Sequence, residues 1–221
     1  MTPQKEIIFF INNQFQRIGK NKEILLINKQ DFSLDNEPGS AKLYVESKSF
    51  SLVPTEIFKQ IKPVINNRFT NIDEDTHVFT NSLIPNLESH VYWALEKNLK
   101  EIFTKKLPGC SLHHISEALI FQNSNNNAHK LKYLLGDDYI YITGINNGQL
   151  QLINRFPIIN ESDDPLYFIL NVIKESNLID SDFSFENFGK RNLELERKLA
   201  EIFPKNPFLN PNNNTLFDML Q

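Results

Sequence analysis

Glycine is scarce in this chain, with 7 residues among 221, where average usage would give about 15. The nearest pair is Gly144 and Gly148, so there is no glycine-rich loop. Backbone cradles for phosphate rely on glycine for positive φ and for close approach of main-chain N–H groups. The familiar nucleotide-binding motifs are therefore excluded. Cysteine is nearly absent too. Cys110 is the only one, so no intramolecular disulfide can form, which fits a reducing compartment. Basic charge is not in excess, since 23 Lys and Arg stand against 27 Asp and Glu for a net charge of −4. A weakly acidic chain lacks the positive footprint that a phosphate backbone demands, which disfavours nucleic acid as a partner. Long apolar runs are missing as well. Residues 7–11 are apolar but are stopped by Asn12 and Asn13, far short of the ~18 residues of a membrane span. The same run is too short for a secretory leader. These absences point to a cytoplasmic protein with no membrane span.

What is present suits a packed core. Hydrophobic residues make up 40% and aromatics 11%, with 18 Phe, so the chain is not globally disordered. The asparagine runs at 125–127 and 212–214 read as surface loops.

The first part of the chain is strand-rich. Residues 6–12 and 23–28 are short apolar runs, with Gly19-Lys20-Asn21 as the turn between them. Residues 35–40 form a loop, and alternation over 41–53 predicts one or two strands. Pro54 suits the first position of a helix containing Ile57, Phe58, Ile61, Val64 and Ile65, which Pro63 must kink or end. Residues 77–81 and 89–93 read as strands. Residues 95–106 form an amphipathic helix with Leu95, Leu99, Ile102 and Phe103 on one face, ended by Pro108-Gly109. A short strand at 110–113 and a helix at 115–121 follow. The polar, Asn-rich segment 122–128 is the best domain boundary, giving units 1–122 and 123–221.

The second part is more regular. Residues 129–135, 138–145 and 149–156 read as three strands, and Asn146-Asn147-Gly148 is a strong hairpin signal. Asp163 is expected to cap a helix through 177, with Leu166, Ile169, Val172 and Ile173 on one apolar stripe. A strand at 183–188 and a helix at 192–203 complete the order β-β-β-α-β-α. The tail from 204 is rich in Pro and Asn and ends on the apolar Leu216-Phe217-Asp218-Met219-Leu220.

That order is the ribonuclease-H-like unit, two of which build the actin-like ATPase fold. The chain also resembles a bacterial family of uncharacterised function. The resemblance is carried by Phe50-Ser51-Leu52-Val53-Pro54, His90-Val91-Tyr92-Trp93 and His113-His114-Ile115-Ser116. It continues through Gly148-Gln149-Leu150, Asn154-Arg155-Phe156-Pro157 and Asp164-Pro165-Leu166-Tyr167-Phe168-Ile169-Leu170. It spans residues 42–203 and implies an α/β, actin-like ATPase shape similar to secretion- and pilus-platform proteins. It brings no activity and no catalytic residues. With about 40 residues before Ala41 and no good helix among them, the first lobe is expected to be reduced.

Four places in the sequence could carry chemistry. The turn equivalent to the second phosphate hairpin of the actin-like fold is Gly136-Asp137-Asp138, preceded by Leu134 and Leu135. Leucines stand where a metal-binding Asp would lie, and two carboxylates follow the one glycine, which opposes phosphate. Gly136, Asp137 and Asp138 are the candidate cofactor-binding residues. His113 and His114 are neighbours on a strand, so they point to opposite faces and cannot chelate one ion together. Cys110 reads as a packed or surface thiol rather than a nucleophile. Tyr92, Trp93, Tyr139 and Tyr141 could stack bases, but without interleaved Arg they read as core. No catalytic residue, metal ligand or cofactor is assigned.

The reading is a non-catalytic actin-like binding or scaffold protein whose partner is another protein, with the oligomeric state left open. A divergent ATP-dependent enzyme and a nucleic-acid-processing factor are the alternatives.

Overall fold

A computed structural model describes residues 6–18, 24–32, 41–59, 72–73, 75–120, 128–160 and 163–209. The chain divides into two compact units, Met1–Glu117 and Ala118–Gln221.

The first unit opens with the antiparallel strands β1 (Glu6–Ile11), β2 (Gln14–Ile18) and β3 (Ile24–Asn28). Strands β4 (Ala41–Val45) and β8 (Ser111–His114) add in parallel, giving the order β3-β2-β1-β4-β8. The sequence reading missed β2 and placed the first turn too late. Asn12 and Asn13 have φ of 50° and 60° and make the two-residue connection. A primed hairpin turn needs φ > 0 at both central residues, and Asn tolerates it better than most. Gly19-Lys20-Asn21 lies outside the described residues. The meander is thus complete, and between β3 and β4 no helix occurs among the described residues.

Between β4 and β8 the chain makes a separate antiparallel sheet, ordered β5-β7-β6, from β5 (Phe50–Pro54), β6 (His77–Ile84) and β7 (Ser89–Glu96). Residues 55–59 are helical, as Pro54 suggested, and Ile61, Pro63, Val64 and Ile65 lie outside the described residues. Helix α1 (Lys97–Lys106) starts two residues later than expected, and Leu95 belongs to β7. Leu95 is buried there, because this strand is covered on both faces and its apolar run merges with the helical period. Phe103 of α1 meets the rings of Phe10 and Phe15 edge-on, with centroids 5.0 and 5.9 Å away. Lys106 Nζ donates to the carbonyls of Gln30 and Phe32 at 2.8 and 3.1 Å, tying the helix end to the turn after β3.

Helix α2 (Ile115–Ile120) follows β8 and carries the chain into the second unit. That unit contains β9 (Lys130–Leu135), β10 (Tyr139–Asn146), β11 (Gln149–Pro157), α3 (Asp164–Glu175), β12 (Ser184–Asn187) and α4 (Leu193–Ile202). Its sheet runs β11-β10-β9-β12, with β12 parallel to β9. Every element expected after residue 128 is present. The Asn147-Gly148 turn has φ of 51° and 71°, as its sequence requires. Ile169, Val172 and Ile173 of α3 are buried against Leu131, Ile140 and Ile142, so the stripe was assigned to the correct face. Phe208 pairs in parallel with Phe185 and extends the sheet beyond β12. Residues 216–220 lie outside the described residues.

Two details depart from expectation. Asp163 makes no side-chain cap at α3. Instead Asp164 accepts from the N–H groups of Ile159 and Asn160, both at 2.8 Å, which holds its carboxyl below the usual range. Gly144 is needed for close helix–strand approach, since a Cβ there would lie 1.9 Å from Ser176 Oγ.

Candidate functional site

The turn joining β9 to β10 is tight. Gly136 N donates to Tyr139 O at 2.9 Å, and Ile158 N donates to Asp138 O at 2.9 Å. A Cβ at Gly136 would lie 2.4 Å from the Tyr139 ring, so this glycine makes room for an aromatic side chain. Asp137 and Asp138 are exposed at the tip. Lys190 Nζ stands 3.4 Å from Asp137 Oδ1, a solvated pair worth about 0–1 kcal/mol. Leu134 and Leu135 are buried in β9.

Beside this turn is a cavity of about 390 Å³, lined by Gly136, Asp137, Ile158, Lys190, Arg191 and Leu193 among others. The segment 189–192 is pinned there by Lys190 N, which donates to Leu135 O at 2.7 Å. A Cβ on Gly189 would come within 2.3 Å of the Leu135 backbone, so only glycine permits that approach. Asn192 caps α4 by accepting from Leu195 N at 3.0 Å. Arg191 holds Glu196 in a fork, with N–O distances of 3.0 to 3.2 Å. Behind this pair the Tyr133 hydroxyl is buried and has no hydrogen-bond partner among the described residues. Burial, aided by the Glu196 carboxylate, pushes its pKa well above the usual phenol range.

The opposite face of the same sheet is polar yet buried. Lys132 is 3% exposed. Burial pushes its amine down to about 8, against the pull of Glu186. Glu186 itself pairs with Lys130 at 2.8 Å. Tyr139 and Tyr141 are buried. Arg155 lies over both rings, 4.4 and 5.9 Å from their centroids. The sequence reading overlooked this arginine, which β pairing sets opposite Tyr141. Tyr92 and Trp93 are buried too, so none of these aromatics forms an open stacking platform.

In the first unit the histidines separate as expected. His114 is fully buried, with its ring 4.6 Å from Phe50 and 5.4 Å from Trp93. It acts as the N-cap of α2. His114 Nδ1 accepts from Ser116 N at 3.2 Å, and Glu117 Oε1 accepts from His114 N at 2.8 Å. This is a capping box with histidine in the usual Ser or Thr place. The His114-to-Glu117 spacing was the available signal, and it was missed. Glu117 also accepts from Ser82 Oγ, and its Oε2 lies 2.9 Å from His113 Nδ1. His113 Nε2 in turn meets Ser111 Oγ at 3.1 Å. Cys110 Sγ donates to Ala41 O at 3.1 Å. Among the described residues, no group of three or more His, Cys, Asp or Glu is placed to hold a metal ion. No helix among them is long and apolar enough to cross a membrane.

The fold class of these sheets is shared by a solved structure. A protein of unknown function with an actin-like ATPase fold from Bacteroides thetaiotaomicron superposes with a TM-score of 0.74 at 17% identity, covering 98% of this chain and 94% of that one. This chain has the actin-like ATPase fold. It belongs to the family described as protein of unknown function DUF3822, which matches residues 5–210. More remote likenesses include the cytoplasmic domain of EpsL from the type II secretion system of Vibrio cholerae. That match has a TM-score of 0.46 at 9% identity, covering 97% of this chain and 91% of that one. The PilM-PilN type IV pilus biogenesis complex gives 0.47 at 9% identity, with 93% and 88% covered. No curated protein matches the sequence.

Proposed function

We propose that this chain is a non-catalytic actin-like protein that binds another protein, and that it does not use ATP. The carrying observation is the β9–β10 turn. In the actin-like fold, nucleotide phosphates rest on glycine-rich hairpins beside a magnesium-positioning carboxylate. Here the open side of Gly136 is filled by Tyr139, and the exposed tip offers two carboxylates. Negative charge there repels a triphosphate. The Asn12-Asn13 connection in the first unit is a two-residue turn with no glycine. This donor set does not fit a magnesium-bound nucleotide.

The same reading takes residues 1–122 and 123–221 as two ribonuclease-H-like lobes, and places the protein in the cytoplasm. The separate compact units and the single cysteine support it. One observation favours the second reading, a divergent ATP-dependent enzyme. Lys190 and Arg191 line the cavity beside the turn, where they could meet an anion.

A thermal shift with Mg-ATP separates the two. Ligand at a hundredfold excess over its Kd stabilises by about 2.7 kcal/mol, which moves the melting point by several degrees. No shift is expected.

A further inference from the structure

Strand β8 sets a hydroxyl against a base. Residues two apart on a strand share a face, so Ser111 and His113 stand side by side. Helix α2 begins directly after this strand, and its first turn brings Glu117 back to the His113 ring. His113 Nδ1 lies 2.9 Å from Glu117 Oε2, and His113 Nε2 lies 3.1 Å from Ser111 Oγ. The two ring nitrogens face different partners, and Glu117 decides which of them carries the proton. An ionised carboxylate only accepts, so Nδ1 must donate to it. In the neutral ring Nε2 is then the acceptor, and the Ser111 hydroxyl donates to it.

Other contacts hold this row in place. Glu117 Oε1 accepts from the Ser82 hydroxyl and from His114 N, the latter at 2.8 Å. The His113 ring stacks on Tyr44 with centroids 5.2 Å apart, and Tyr44 is buried against Phe9. The Glu117 side chain is 12% exposed and that of His113 23%, whereas Ser111 is open to solvent. The oriented pair is thus shielded and the hydroxyl is accessible. The pairing of β4 with β8 sets Lys42 beside Ser111 on the same face of the sheet, so a cation stands on the reacting face. A hydroxyl bonded to a base that a third group orients is the arrangement of an activated nucleophile.

We propose that Ser111 is a covalent modification site that takes the acyl group of an activated ester. As Oγ bonds to the ester carbonyl carbon, His113 Nε2 takes the hydroxyl proton. The bond from that carbon to the leaving oxygen breaks, and the imidazolium returns the proton to the leaving group. The Nδ1 proton stays on the ring throughout, where Glu117 stabilises the transient positive charge. The product is an O-acyl serine on the protein, one group per chain. The step adds a modification to a non-catalytic protein and does not depend on the turn between β9 and β10. Glu117 acts here as a positioning residue, through the ring.

Incubation of the full chain with p-nitrophenyl acetate, followed by peptide mass mapping, tests this. Acetyl is expected on Ser111 ahead of every other hydroxyl. Ser111→Ala keeps the fold, since the side chain is exposed, and should lose this adduct. His113→Gln removes the base and should slow acetylation of Ser111 by about a hundredfold or more. Glu117→Gln keeps an oxygen for His114 N but lets the amide donate to Nδ1, which moves the ring proton to Nε2. It should slow the step by about tenfold or more. Nitrogen-15 NMR of the wild-type ring should find the proton on Nδ1, a signature that a purely structural Glu117 would not set. A wild type with no acetyl on Ser111 overturns the proposal. So does a rate unchanged in His113→Gln or Glu117→Gln, and so does a ring proton found on Nε2.

Discussion

Replacing Ile169 by alanine removes three carbons from the centre of the second unit. The side chain is fully buried on the α3 stripe, among Leu131, Ile140, Ile142, Val172 and Ile173. At roughly 0.8 kcal/mol per methylene the lost transfer energy is about 2.4 kcal/mol, and an unrelaxed cavity adds to it. A total near 3 kcal/mol is expected. Urea unfolding followed by far-UV circular dichroism reads it. With a slope of about 1–3 kcal/mol per molar, the midpoint of the second unit should fall by about 1–3 M. Tyr167 on the same helix is 61% exposed, and Tyr167→Ala should shift the midpoint by a few tenths at most. If Ile169→Ala leaves the midpoint unchanged while Glu175→Ala lowers it, the helix face is wrong and the packing described for this unit fails.

Three further outcomes follow from named contacts. Gly144→Ala drives a Cβ into Ser176 Oγ. It should cost about 1–3 kcal/mol, read as a lower melting point. Glu117→Ala removes half of the α2 capping box and should cost about 0.5–2 kcal/mol in the first unit. Lys132 gives a pH signature. Its folded value is near 8 against the ordinary 10.5, so between these the unfolded chain binds more protons and stability rises with pH. Wild type should therefore gain stability from pH 8 to about 9.5, below tyrosine titration. Lys132→Met should lack that gain, and equal slopes for the two proteins would refute the burial of a strained amine.

The second unit could be read from sequence because each element carried its own punctuation. The three strands are short apolar runs separated by turn residues, Asn147-Gly148 fixes a hairpin, and Asp164-Pro165 opens a helix whose apolar period is clean. The first unit was harder for local reasons. In strand β2 the buried Phe15 stands among polar neighbours, so the strand carries little apolar signal. The turn before it is made by two asparagines rather than glycine. Strand β7 runs straight into α1, and no periodicity separates a doubly covered strand from the start of a helix. At the candidate site the acidic turn was legible. Lys190 and Arg191 were not, because they are brought to the turn by the parallel pairing of β12 with β9. The Glu117 network depends on tertiary placement of Ser82 and equally left no trace beyond the His114–Glu117 spacing.

The central claim is that the nucleotide site of the fold has been abandoned, and titration calorimetry of the full chain with Mg-ATP tests it most directly. The account predicts no binding heat beyond dilution, for the wild type and for Asp137→Ala alike. Micromolar binding that Asp137→Ala or Lys190→Ala abolishes would contradict it and leave the divergent enzyme as the better reading.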